Sequence, residues 1–409
     1  MYTTRSFRPL RTLNITAKVC VAIVCLLGAS TQVFAQVAAE PVDGAKTRFA
    51  REIADYEKIA QRCLDQFARE HALPGATLAF VLDDGRCGAV AYGVTRKTDG
   101  RAMKPNDRML AGSIGKTHVA AVLLQLDEEG KVKLDDKIST WFGKEDWFPR
   151  LPNAEQITLR MLMHHSSGIP EHVLMPEFLA AVKKDPEKIW RPAELVSYVL
   201  DEPALFPAGE GWSYADTNFI LVGMVIERVS GRKYYDLLRE RILRPLELKD
   251  TFPSDQRVLP GLVSGYTGPR NPFPVPEEVS VDGRVAFHPQ MEWTGGGLVS
   301  TSPDLARWAK LLYGGDVLKE ATKAEMLHGV DAGLRLGPGH KYGLGVILRD
   351  SRFGPTCGHS GWFPGYVSVM CYYSKLGVGI AFQTNTDVGM SSPVMEELLD
   401  RMAESISTP

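Results

Sequence analysis

Strand-like runs lie toward the two ends of this chain and a long helical stretch lies between them, an arrangement that limits the fold more than any other feature. Residues 76–82 and 88–94 read as strands joined by the hairpin signal Asp83-Asp84-Gly85-Arg86. Comparable runs return near residues 343–349, 366–373 and 377–384. From Ser113 to about Leu248 the pattern is mostly helical, as in 119–126 and 219–229, with turns such as Ser167-Gly168-Ile169-Pro170. Residues 250–290 are rich in Pro and Gly and read as loop. Helical patterns also flank the strands: Phe49, Ile53, Tyr56, Ile59, Cys63 and Phe67 form a stripe within 46–71, and residues 393–406 close the chain.

Together these patterns predict an α+β fold, with one antiparallel sheet built from both ends of the chain and flanked by N- and C-terminal helices. A mostly helical domain, 113–290, is inserted into a sheet domain made of 46–112 and 291–406, with the active site between them. The 409 residues suffice for two cores, and 44% hydrophobic with 23% charged residues excludes a disordered or fibrous chain.

The first 35 residues read as a cleavable signal peptide. Arg5, Arg8, Arg11 and Lys18 precede an apolar run at 19–29, and Val33-Phe34-Ala35 supplies small residues for cleavage. An 11-residue run falls short of the roughly 20 that span a bilayer, so no stable membrane anchor is expected after cleavage. Neither Cys20 nor Cys25 sits in a lipid-attachment pattern. Losing four positive charges moves the formal net charge from −2 to −6, and neither value suits a nucleic-acid partner. An exported chain, periplasmic or secreted, meets an oxidising compartment. Cys63, Cys87, Cys357 and Cys371 would remain, and their pairing is open; Cys357 and Cys371 flank a hairpin around 361–365 and could face each other, while free buried thiols are an equal alternative.

Three short motifs carry candidate chemistry. Ser113-Ile114-Gly115-Lys116 opens a helical run and places Ser113 and Lys116 one turn apart. A serine hydroxyl needs a base to become nucleophilic, and a helix start offers backbone N–H to a developing oxyanion. By itself the pair is also what a helix cap and a surface lysine look like. A phosphate loop at Gly115-Lys116-Thr117 lacks the required earlier glycine, since position 110 is Leu110, and a nucleophile elbow at 111–115 lacks the alternating strands and helices around it. Tyr214-Ala215-Asp216-Thr217-Asn218 adds a tyrosine able to exchange protons beside an ammonium group. Gly358-His359-Ser360-Gly361-Trp362 reads as a strand edge with His359 and Gly361 on one side, where glycine admits a close substrate backbone. His164 and His165 are adjacent and the cysteines lack zinc spacing, so no metal site is expected.

In this order and at these separations, Ser-x-x-Lys, Tyr-x-Asn-like and His-x-Gly resemble the penicillin-recognising serine hydrolases, in the branch of class C β-lactamases, D-alanyl-D-alanine carboxypeptidases, D-aminopeptidases and related esterases. Further landmarks agree: Leu134-Asp135-Asp136, the segment 162–170, Arg244-Pro245-Leu246 and the segment 296–301. The resemblance implies Ser113 as the acylated nucleophile, Lys116 as its base, Tyr214 as the proton relay and His359 facing substrate. It implies an oxyanion hole from the N–H groups of Ser113 and Trp362, and substrate contacts at Asp216, Asn218, Ser360, Gly361 and Trp362. No cofactor is implied. Two departures stand out: His359 replaces the lysine of class C β-lactamases, and Asp216 replaces the usual Asn. Ionised beside Lys116, Asp216 would favour the ammonium form and shift the work of a base toward Tyr214; a neutral Asp216, or Asn218 in its place, would undo that shift.

The implied activity is hydrolysis of a small ester or of a D-amino-acid peptide or amide through a Ser113 acyl-enzyme. A class C-like β-lactamase and a non-catalytic protein binding penicillin or peptidoglycan stems are the alternatives.

Overall fold

A computed structural model of the protein describes residues 49–408, so the expected signal peptide lies outside the described residues. The main sheet is antiparallel and eight-stranded. Its strands are β1 (Gly75–Val81), β2 (Cys87–Gly93), β3 (Val330–Asp331), β4 (Lys341–Tyr342), β5 (Ile347–Ser351), β6 (Gly354–Phe363), β7 (Tyr366–Tyr373) and β8 (Val378–Thr384), in the spatial order β2-β1-β8-β7-β6-β5-β4-β3. The join between the two ends of the chain is the β1–β8 ladder, running from Ala76↔Thr384 to Val81↔Gly379.

Every residue of β1, β7 and β8 is buried, so these central strands are covered on both faces. The strand period of two then sorts their side chains into two separate cores. Ala76, Leu78, Phe80, Val369, Ile380 and Phe382 pack with Leu64 and Phe67 of helix α1 (Ile53–Glu70) and with Leu398 and Met402 of the C-terminal helix (Ser392–Ser407). Ala79, Val81, Met370 and Ala381 face the other way, onto the helix Ser302–Gly314. Phe67, buried and edge-on to Phe382 at 5.6 Å, contributes roughly 2–3 kcal/mol by burial.

The apolar residues of the middle of the chain join the second of these cores, so the helical region is packed against the sheet without an apolar break. Its central elements are helix α2 (Gly115–Glu128), buried on nearly every side, and helix α3 (Asp216–Ser230), which ends on Gly231 in the left-handed conformation at φ 68°. Residues 250–290 are mostly irregular, with short pairings of Phe252–Pro253 against Leu298–Ser300 and of Ser280–Val281 against Arg284–Val285.

Two expectations need correction. The run 343–349 is not one strand: Gly343 N donates to Val346 O and Gly345 adopts φ 73°, so a turn separates β4 from β5. Cys357 and Cys371 do not face each other either, because Cys357 pairs with Tyr372 and Cys371 with Gly358, a one-residue offset that puts the two thiols on opposite faces of the sheet. All four cysteines of the described residues are free. Among the described residues no helix is long and apolar enough to cross a membrane.

Candidate active site

Ser113 sits in a single 3-10 turn, Gly112–Ile114, that runs directly into α2. The glycines around it answer to close backbone approach. A Cβ on Gly112, whose φ is 53°, would lie 2.6 Å from Trp362 N, and one on Gly115 would lie 2.4 Å from Gly296 O. The turn is therefore clamped between β6 and the segment 289–297. Thr117, part of the discarded phosphate-loop reading, is buried and held by Ile114 O at 2.8 Å and Trp308 Nε1 at 2.7 Å.

One turn into α2, Lys116 is fully buried. Its ammonium nitrogen reaches Ser113 Oγ at 3.1 Å, Asp216 Oδ1 and the Gly295 carbonyl. Three acceptors match the three N–H bonds of an ammonium group. Asp216 is brought there as the first residue of α3, where its own backbone N–H donates to Glu171 Oε2 at 2.7 Å. The Tyr214 ring lies with its centroid 4.8 Å from Lys116 Nζ. Its hydroxyl is buried without a hydrogen-bond partner. Burial first, and then the Asp216 carboxylate, push the Tyr214 phenol well above 10 against the opposing pull of Ser113.

β6 pairs with β5 only as far as Gly358↔Ile347 but with β7 through Phe363. Residues 359–363 thus form a local open edge beside Ser113, although β6 is an inner strand of the sheet. The Gly361 position packs onto Ala111, and Trp362, 39% exposed, stands over the cleft with Phe273 at 6.0 Å.

The cleft in front of Ser113 has a volume of about 320 Å³. Ser113, Tyr214, Asp216 and Trp362 line it, together with Glu171, Phe273, Met291, Glu292, Phe363 and, at its mouth, Arg335. The other expected residues sit elsewhere. His359 is buried beside Tyr214, ring centroids 6.3 Å apart, and borders a separate void of about 20 Å³ with Ser360. Its Nδ1–H donates to the Ser360 carbonyl at 2.6 Å, so Nε2 accepts from the Tyr342 hydroxyl at 2.8 Å. Burial, reinforced by Lys116, lowers His359 to about 3, which makes it a neutral wedge behind Tyr214. Asn218 points into the helical core, where it donates to His165 Nδ1 at 3.1 Å and accepts from Ser167 Oγ at 2.7 Å. Ser360 Oγ turns to Ser392 Oγ at 3.0 Å.

Sequence reasoning passed over Glu171, Glu292, Tyr342 and Arg335. Glu171 directly follows the landmark Ser167-Gly168-Ile169-Pro170, and Glu292 sits in the apolar and glycine-rich run Met291-Glu292-Trp293-Thr294-Gly295. A lone acid in such a run is a signal, because carboxylates are seldom buried without a reason. Burial, then Asp216, raises Glu292 to about 8, and burial raises Glu171 as well.

A half-buried serine at a helix start, a buried lysine on its hydroxyl, and a tyrosine closing the triangle over an antiparallel sheet define a serine hydrolase of the acyl-transfer type. Residues 60–403 match the beta-lactamase family, and the chain belongs to that family. It is 27% identical to esterase EstB of Burkholderia gladioli, over 87% of this chain and 97% of that one. It is also 27% identical to penicillin-binding protein 4* of Bacillus subtilis (strain 168), over 77% and 69%. Among solved structures, D-amino acid amidase from Ochrobactrum anthropi SV3, complexed with L-phenylalanine amide, superposes with a TM-score of 0.74 at 26% identity, over 86% of this chain and 98% of that one.

Proposed function

We propose that the protein hydrolyses small esters or D-amino-acid amides and peptides through an acyl-enzyme on Ser113. The observation that carries this reading is the Lys116 nitrogen bonded at once to Ser113 Oγ, Asp216 Oδ1 and Gly295 O. Passage of the Lys116 proton to Asp216 Oδ1, which lines the cleft, would leave an amine that accepts the proton of Ser113 Oγ. The freed alkoxide forms a bond to the substrate carbonyl carbon. The carbonyl oxygen takes the displaced electron pair and is held by the N–H groups of Ser113 and Trp362. Collapse expels the leaving group, which takes a proton through Tyr214, whose neutral phenol is a donor. Water then repeats the sequence on the acyl-enzyme.

Labelling with a fluorophosphonate tests the reading, with modification of the wild type and none of Ser113→Ala as the expected result. Equal labelling of both proteins would overturn it. Short-chain p-nitrophenyl esters, nitrocefin, D-alanyl-D-alanine peptides and D-amino-acid amides then separate the esterase, β-lactamase, carboxypeptidase and amidase forms. Export belongs to the same proposal, supported by the charge and apolar pattern of residues 1–35. Mature protein beginning at Gln36 is expected on N-terminal sequencing of the secreted or periplasmic fraction.

A further inference from the structure

The Ser113 cleft does not end at Trp362. Trp362 and Pro272 line both the cleft and a groove of about 470 Å³ formed by the loops 267–272 and 387–389. Thr267, Gly268, Pro269 and Val388 carry that groove on into a further depression of about 570 Å³, bordered by Pro74 and Val275.

This groove lies on one side of the reacting bond. Tyr214, which serves the leaving group, stands beside His359 at one end of the open edge 359–363, and Arg335 donates to the Tyr214 carbonyl on that side. Trp362, whose N–H is assigned to the oxyanion, stands toward the other end. A chain that continues past Trp362 therefore belongs to the acyl half of the substrate.

The polar groups of the two loops are already occupied with one another. Thr267 Oγ1 donates to Asp387 Oδ2 at 2.7 Å, and Asn271 Nδ2 donates to Thr267 Oγ1 at 2.8 Å. The N–H groups of Phe273 and Gly365 donate to Asn271 Oδ1 at 2.8 Å and to Asp387 Oδ2 at 3.1 Å. Further along, Lys97 pairs with Glu277 at 3.1 Å. Arg270 is exposed, so water serves its guanidinium while its aliphatic stem remains free to lie against a chain. What is left for a ligand is apolar: Trp362, the rings of Pro269 and Pro272, and Val388, which is 52% exposed.

Exposed apolar side chains are also gathered around this one opening. Of the eight large ones among the described residues, Leu174, Trp362 and Val388 line the cleft or the groove, and Leu334 adjoins Arg335 at the cleft mouth. Such a concentration marks a surface that meets an apolar ligand, whereas singly scattered residues would need no explanation.

We propose that the groove beyond Trp362 binds an extended apolar acyl chain, so that the enzyme hydrolyses esters of medium- and long-chain carboxylic acids. The inference rests on Ser113 acylation and reaches beyond the small esters, amides and peptides named above. The chemistry is unchanged: Ser113 Oγ bonds to the carbonyl carbon, the bond from that carbon to the leaving oxygen breaks, and water then releases the carboxylic acid and restores Ser113. Each methylene that the groove covers is worth up to about fourfold in kcat/KM, so two of the four that octanoate adds to butyrate suffice for tenfold.

The test compares kcat/KM for p-nitrophenyl butyrate and p-nitrophenyl octanoate, below the concentration at which either ester aggregates, in wild type and Val388→Asp. The expected result is a preference of tenfold or more for octanoate in the wild type, reduced at least threefold in the variant by a carboxylate set against the chain. A smaller preference in the wild type, or one that the variant leaves unchanged, overturns the groove. A second measurement does not depend on the variant folding: octylboronic and butylboronic acids, which form adducts on the nucleophile with the alkyl chain on the acyl side, are compared as inhibitors of wild-type p-nitrophenyl acetate hydrolysis. Tenfold tighter inhibition by the octyl compound supports the groove, and a smaller difference overturns it. Hydrolysis of the short esters without either preference removes the groove and leaves Ser113 chemistry standing, whereas absence of both ester hydrolysis and boronate inhibition removes both.

Discussion

Replacing Gly361 by alanine probes how closely β6 must approach the nucleophile turn. An added Cβ would meet the Ala111 carbonyl oxygen at 1.9 Å, its carbon at 2.9 Å and Ser368 Oγ at 2.7 Å. Ala111 has little freedom to retreat, since Ser368 Oγ donates to its carbonyl at 2.6 Å and its N–H donates to Leu298 O at 2.9 Å. Widening the contact from 1.9 Å to an ordinary 3.4 Å separates β6 from the segment two residues before Ser113 by about 1.5 Å. A misplacement of about 1 Å at reacting groups costs on the order of 100-fold, or roughly 2.7 kcal/mol of barrier. The same overpacking costs about 1–3 kcal/mol of stability, which leaves a folded protein. The expected outcome is therefore a fall of at least ~100-fold in kcat/KM on a p-nitrophenyl ester with a cooperative melt retained by circular dichroism. A folded variant with wild-type kcat/KM would refute the reasoning, as would a loss no larger than the fraction unfolded.

Three further outcomes are expected. Asp216→Asn removes the charge that, after burial, holds the Tyr214 phenol above its usual range, so the falling limb of kcat/KM at alkaline pH, where the donor phenol loses its proton, should move to lower pH; a limb that stays or moves up contradicts the role given to Asp216. Stability should peak near pH 6.5. Burial lowers His118 and His359 to about 3, His164 and His172 to about 4, and His165 well below 6.5. Below pH 6.5 the unfolded chain therefore binds protons that the folded chain does not, and stability falls toward pH 4. Glu292 and Glu171 are raised and slope the other way, losing stability as pH rises from 4.5 to 8. With His288, also lowered by burial, six histidines outweigh the two glutamates below 6.5, and the slope of the glutamates remains above it; urea denaturation at pH 5, 6.5 and 8 checks this, and greatest stability at pH 5 would sink it. Ellman's reagent should modify the exposed Cys87 in the native mature chain and spare Cys357 and Cys371 until unfolding, since burial raises both thiols, Cys371 to about 12. Prompt reaction of the buried pair, or a bridge sensitive to reductant, would contradict the one-residue offset.

Periodicity and spacing determined a good deal without a structure. Alternation and helical stripes are local properties of the chain, so the two-ended antiparallel sheet, its flanking helices and the run of α2 were legible from residues alone. Ser113 and Lys116 were legible for the same reason, because three residues on a helix fix their proximity. What lies opposite them was decided only by folding. The register of β6 against β7 separated Cys357 from Cys371, and the short reach of β5 opened the edge at 359–363. The direction of a helix face turned Asn218 inward and left Asp216 on Lys116, while a tyrosine 17 residues before His359 took the histidine out of the cleft. Glu171 and Glu292 lie 58 and 179 residues beyond Ser113, and no local pattern records that the chain folds both onto one cleft. Burial in that common space holds two ordinary glutamates well above the usual carboxylate range, an environment that exists only once the chain has closed around it.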